Sequence, residues 1–162
     1  MIKIITTGGT IDTLNYTDEK DAPREHKSAI RDLLKTARLT VDYVVKDLFA
    51  KDSRLINEHD RELLVNECRN SKEEEIVVTH GTMTLTETAE YLQKAQLGKT
   101  IVLVGAMLPF NKEKSDALFN LGAAIIAGQT LPAGVYVVMN GKVFEAGNVR
   151  KDFEKGTFVE VD

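Results

Sequence analysis

Three short stretches carry hydroxyl or amine groups where a loop could present them to a ligand: "TTGGTI" with Thr10, "VVTHGTMTLTETA" with Thr82, and "GNVRK" with Lys151. In the first, Gly8 and Gly9 let the backbone turn sharply and let a ligand approach the main chain. Thr10 is then either a nucleophile or an incidental side chain of a tight turn. The glycine spacing is that of neither a P-loop nor a dinucleotide fingerprint, which counts against a nucleotide-binding domain. In the second stretch, five threonines lie between Thr79 and Thr88, although threonine is a mediocre helix former. Thr82 reads as a helix cap or as a second functional hydroxyl, and Thr84 with Glu87 has capping-box spacing. His80, beside Gly81 at a strand end, reads as a packed, hydrogen-bonded residue and is given no catalytic role. Lys151 taken alone is a solvated surface charge. Asp52 and Ser53, in "KDSR", are ordinary loop residues on the same footing. Tyr16 sits in a polar loop that it either packs down or closes as a lid over a site.

These groups can act together only if the elements between them bring them to one place. "IKIITT" (2–7), "LTVDYVVKDLF" (39–49), "EEIVVTH" (74–80), "KTIVLVGAM" (99–107) and "AGVYVVMN" (133–140) are apolar runs of strand length. Between them lie amphipathic or capped stretches at 28–37, 57–70, 84–95 and 115–128. Asn57 caps the second with Asp60 three residues on; Ser115 caps the last and Gly128 closes it. Residues 12–26 form a long polar loop. Residues 141–149 form a return hairpin, followed by a short strand at 157–161. Apolar strands alternating with helices indicate an α/β fold: a doubly wound, mostly parallel sheet of Rossmann or flavodoxin type, with helices on both faces and a C-terminal hairpin. In such a sheet ligands bind beyond the carboxyl ends of the strands. Thr10, Ser53, Thr82 and Lys151 all fall in segments that follow strands.

Composition narrows the function. The chain has 162 residues, 43% hydrophobic and 28% charged, with a formal net charge of −4, as expected of one globular domain without repeats or linkers. No Lys/Arg cluster argues for nucleic acid. No apolar run approaches the ~18 residues of a membrane helix, and the N-terminus lacks the apolar stretch of a signal peptide. Cys68 is the single cysteine, so no internal disulfide or cysteine-based metal cluster is expected, and a cytoplasmic setting is. The three histidines, His26, His59 and His80, are not at metal-ligand spacing.

Taken in order, the segments resemble the asparaginase/glutaminase family, specifically its N-terminal catalytic domain. "TTGGTI", "NYT", "KDS", "VVTHGTMTLTETA", "VLVGAM" with "SDALFNL", and "VVMNGKVFEAGNVRK" match family stretches along nearly the whole chain. The resemblance implies Thr10 as nucleophile, Tyr16 on a lid, and Thr82 with Lys151 as a second catalytic pair. It also implies substrate contacts from Gly9, Asp52, Ser53, Gly81, Met83 and Ala106. The implied reaction is hydrolysis of the side-chain amide of L-asparagine, with L-glutamine as an alternative, through an acyl-enzyme and with no metal or cofactor. Backbone N–H groups near Thr82 and the following helix N-terminus would stabilise the oxyanion. The implied partners are a small amide and further copies of the chain, as a homodimer or larger oligomer, with no nucleic acid and no membrane.

Two departures qualify the resemblance. Family members carry Asp where this chain has Met83, and that Asp receives the substrate ammonium and contacts the catalytic Lys. A charge-assisted contact of this kind is worth roughly 1.5–3 kcal/mol. Asp12, Asp52 and Glu145 are the acidic residues considered as replacements. A catalytically impaired amide- or amino-acid-binding domain, or an amidase of shifted specificity, is the alternative reading. The chain also stops near where family members begin a second domain, so residues 1–162 are expected to form a single domain without one.

Overall fold

The computed structural model describes residues 1–161. In chain order it contains β1 (Ile2–Gly8), α1 (Ile30–Thr36), β2 (Tyr43–Lys51), α2 (Glu58–Asn70), β3 (Glu75–Thr79), α3 (Leu85–Lys94), β4 (Thr100–Val104), α4 (Ala117–Thr130), β5 (Gly134–Met139), β6 (Lys142–Glu145), β7 (Arg150–Asp152) and β8 (Thr157–Val159). The main sheet has the order β2-β1-β3-β4-β5-β6. Its first five strands are parallel, and β6 returns antiparallel to β5. The expected doubly wound α/β sheet is therefore present.

The sequence explains the central strands. Ile4, Ile5, Val77, Val78, Val102 and Leu103 are fully buried and sit on both faces of their strands, as a sheet covered on two sides requires. Burying each such side chain stabilises the fold by about 1.5–3 kcal/mol. α2 and α3 pack side by side, and α4 lies against β1, β3, β4 and β5. Asn57 caps α2 in a complete capping box with Asp60, as its spacing predicts. The chain leaves β1 for β2 and then crosses back to β3, so the strand order reverses at β1. The crevice between the carboxyl ends of β1 and β3 is the topological switch point.

Several local expectations fail for identifiable reasons. β2 begins at Tyr43, not Leu39, because its register with β1 starts at Ile2 opposite Tyr43. α4 continues past Gly128 to Thr130, with Gly128 buried in its last turns. The Ser115 hydroxyl accepts the Ala117 N–H at 3.1 Å but lies before the helix. Thr84 starts α3 without capping it through its side chain; its hydroxyl donates instead to the Ser53 carbonyl at 2.7 Å. Glu87 pairs with Arg61 of α2 at 3.2 Å. The predicted return hairpin is β5–β6, turned at Asn140 and Gly141, both at positive φ. Residues from Arg150 leave this sheet and form a separate β7–β8 hairpin.

Candidate active site

The switch-point crevice is built by close backbone packing. Gly9 has φ of +78°, and a Cβ there would run into the backbone of Gly81. A Cβ on Gly81 would in turn strike the Ser53 side chain. The loops after β1, β2 and β3 therefore meet at Gly9, Gly81 and Ser53, and neither glycine leaves room for a Cβ. This contact holds Thr10, Ser53 and Thr82 around one open cavity of about 230 Å³. The hollow over α4 is larger, about 550 Å³, but its lining is almost wholly apolar side chains.

Thr82 and Lys151 meet across the cavity. Lys151 is delivered by β7, and its ammonium donates to Thr82 Oγ1 at 2.8 Å. Its Nζ also lies 3.6 Å from Met83 Sδ and 5.3 Å from the centre of the Phe153 ring. Lys151 makes no ion pair among the described residues. Burial, and secondarily the Arg54 charge, holds its pKa below the ordinary lysine value. Thr82 is buried, whereas Thr10, on a 3-10 turn over Thr10–Asp12, is partly open. No side-chain hydrogen bond occupies the Thr10 hydroxyl among the described residues.

The second polar cluster centres on Asp52. Its Oδ1 accepts Arg54 N–H at 3.0 Å and Arg54 Nε at 2.8 Å. Its Oδ2 accepts Arg54 Nη2 at 2.7 Å and the Tyr16 N–H at 3.0 Å. Burial works to raise the Asp52 carboxyl, but the hydrogen bonds from Arg54 and Tyr16 outweigh it and hold the group below its usual range. Arg54 Nη2 also reaches Asn15 Oδ1 at 2.7 Å.

Of the residues singled out from the sequence, Gly9, Thr10, Asp52, Ser53, Gly81, Thr82, Met83 and Lys151 line this cavity. Tyr16 and Ala106 do not. The Tyr16 hydroxyl points at the Ala50 carbonyl, 3.4 Å away. Ala106 is fully buried behind the lining residue Met107. Sequence reasoning passed over Arg54, Asn15 and Met107. Each adjoins a flagged residue, and "DSR" held the signal that a cation follows the Ser53 hydroxyl.

None of the three replacement acids offers a free charge to the cavity. Asp12 is buried and accepts from Ser28 Oγ at 2.9 Å and from the Ala29 N–H. Asp52 is committed to Arg54, and Glu145 stands opposite Tyr136 on β6. His80 is fully buried; its Nδ1 donates to the Gly81 carbonyl at 2.8 Å, and burial lowers its pKa to about 4. It is a neutral packing group, as its sequence context suggests. No cluster of three or more His, Cys, Asp or Glu side chains is placed to hold a metal among the described residues. No helix among them is long and apolar enough to cross a membrane.

Known proteins resemble this chain in sequence and fold. The family model described as "Asparaginase, N-terminal" matches residues 1–157. L-asparaginase 2 of Escherichia coli is 31% identical over 163 residues, covering 93% of this chain and 46% of that protein. The glutaminase-asparaginase of Pseudomonas fluorescens is 30% identical over 165 residues, 93% of this chain and 45% of that protein. Among solved structures, a probable cytoplasmic L-asparaginase from Campylobacter jejuni aligns with a TM-score of 0.82 at 28% identity, over 99% of this chain and 53% of the other. The chain thus spans about half the length of these relatives.

Proposed function

The chain belongs to the asparaginase family, and we propose that it hydrolyses the side-chain amide of a small molecule, L-asparagine being the reference substrate and L-glutamine the next. Thr10 Oγ attacks the amide carbon and passes its proton to the site, forming a tetrahedral intermediate. The C–N bond then breaks, and nitrogen leaves as ammonia carrying that proton. Water attacks the resulting threonyl ester, releases the acid and restores the Thr10 hydroxyl. Thr82 and Lys151 move the proton and position the water. The N-terminus of α3, which has no side-chain cap, faces the developing oxyanion with its free N–H groups. Tyr16 assists only after the loop bearing it moves inward.

The observation that carries this reading is the 2.8 Å contact between Lys151 Nζ and Thr82 Oγ1 in the cavity that Thr10 also lines. A lysine with a lowered pKa, bonded to a threonine hydroxyl, is a proton-transfer pair rather than a solvated charge. The proposal is tested by ammonia release from L-asparagine, L-glutamine and simple amides, with wild type beside Thr10→Ala. Release abolished by Thr10→Ala is the expected result. No release from any amide sinks the enzyme reading; release unaffected by Thr10→Ala sinks the nucleophile.

A second reading, an impaired amide-binding domain, is favoured by one observation: Met83 leaves Lys151 without a counter-charge among the described residues. Binding without turnover would select it. We also propose a homodimer or larger assembly, supported by the exposed apolar side chains Phe119 and Ile126 on α4; a monomeric mass by light scattering would end that proposal. A cytoplasmic location is also part of the proposal, and cell fractionation tests it.

A further inference from the structure

We propose that the cavity selects an amide that carries a carboxylate but no α-ammonium group: a monoamide of a dicarboxylic acid, with succinamate the simplest, in preference to an α-amino acid such as asparagine. This rests on the amidase reading above and specifies its substrate.

The argument is the charge lining the cavity. Two cations face it, Arg54 and Lys151, and the only carboxylate among the lining residues is Asp52. A carboxylate offers about four lone-pair sites. Those of Asp52 already receive three N–H groups from Arg54 and one from Tyr16. The amide oxygen of Asn15 is likewise taken by Arg54. An incoming ammonium brings three donors and a positive charge, and this lining holds no uncommitted anion to receive it. Beside Lys151 it meets Met83 Sδ, a weak acceptor without charge. It would therefore be desolvated near two like charges, which is unfavourable on both counts.

An anion meets the opposite situation. Arg54 Nη1 donates to no group among the described residues, and its side chain is 33% exposed at the cavity rim. Nη2 is already taken by Asp52 and Asn15, so the N–H groups of Nη1 are what remains for a carboxylate oxygen. Ser53 precedes it in the chain, and its hydroxyl has a proton to give, since it accepts the Thr84 N–H at 3.4 Å and donates to no group among the described residues. Asp52 and Asn15 hold the guanidinium in place, so Nη1 is pre-oriented.

L-asparagine and succinamate share the amide and the carboxylate and differ only in the ammonium, which makes them the probes. The full chain is assayed for ammonia release from each. The expected result is kcat/KM for succinamate at least ~10-fold above that for L-asparagine, the effect of one unfavourable charge contact. Met83→Asp should shift the ratio at least ~10-fold toward L-asparagine, and Arg54→Gln should raise KM for succinamate more than it lowers kcat. Equal use of the two amides, or preference for L-asparagine, overturns the proposal. Should neither amide release ammonia, the hydrolase reading is judged on the wider amide panel above, and calorimetry of Thr10→Ala with succinate and L-aspartate decides the selectivity. Tighter binding of succinate upholds it. Tighter or equal binding of L-aspartate, or binding of neither, overturns it.

Discussion

Thr10 and Thr82 line the same cavity from adjacent strands, yet their surroundings differ. Thr82 is buried, and its hydroxyl is fixed by Lys151 at 2.8 Å. Thr10 is partly open, on a short 3-10 turn, with no partner for its hydroxyl among the described residues. Tyr16, which the family resemblance places beside the nucleophile, is docked against β2 through the Ala50 carbonyl. The β3–β7 side is thus joined by a side-chain contact, while the hydroxyl on the β1 side has none among the described residues. Such a division suits the proposed covalent mechanism, in which a proton-transfer pair is pre-organised and a nucleophile has room to be approached.

The strongest way to break this contrast is to remove each hydroxyl system in turn. Thr10→Ala is expected to lower kcat for ammonia release by about 10⁴-fold or more, as loss of a covalent nucleophile does. Lys151→Met removes the partner of Thr82 and is expected to cost about 10²–10³-fold, within the range for a proton-transfer group. Single-turnover assays of both variants check the order. If Lys151→Met proves the milder by less than ~10-fold, or the harsher, the two sides are not divided as described.

A smaller effect probes what holds the two sides together. Gly9→Ala forces a side chain onto φ of +78° and into the Gly81 backbone, and should destabilise the fold by about 2–5 kcal/mol. Gly98 has a similar φ of +69° but no heavy atom within 4 Å of a Cβ, so Gly98→Ala should cost only about 1 kcal/mol. Urea unfolding of both variants measures the difference. Equal losses would mean that strain, not the contact between the β1 and β3 turns, makes Gly9 necessary.

The same contrast shows what a sequence can disclose. The strands were legible because burial on both faces demands continuous apolar runs, as in "IVLV" of β4. The turn glycines were legible because positive φ and close approach leave few alternatives. Thr84 was misread as a side-chain cap because its hydroxyl has a choice: the helix N-terminus nearby in sequence, or the Ser53 carbonyl 31 residues away. Helix starts are written locally, but competition from a distant acceptor is not. Arg54 was passed over for a related reason. Beside Asp52 in the chain it reads as a loop charge, and only the folded loop turns its guanidinium toward the cavity. Met83 was recognised from its place in a motif, yet whether another acid compensates depended on where Asp12, Asp52 and Glu145 came to rest.

The most delicate prediction concerns the proton-transfer side alone. The pKa of Lys151 lies below 10.5, first through burial and then through the nearby Arg54 charge. As pH rises through that lowered value, Lys151 loses its proton and becomes able to accept one from Thr82, so kcat should rise on the alkaline side before 10.5. In the unfolded chain the lysine titrates near 10.5; between the two values the unfolded state binds more protons, and stability should rise with pH there as well. Arg54→Gln removes the second cause and leaves the first. The ammonium form is then less disfavoured, and the midpoint of the kcat profile should move up toward 10.5, lowering turnover at any pH below it. Measuring kcat rather than kcat/KM keeps any effect of Arg54 on binding out of the profile. A midpoint that stays in place would show that Lys151 does not feel Arg54. A downward shift would show that Arg54 had been holding a counter-anion near the lysine rather than acting on it by its own charge.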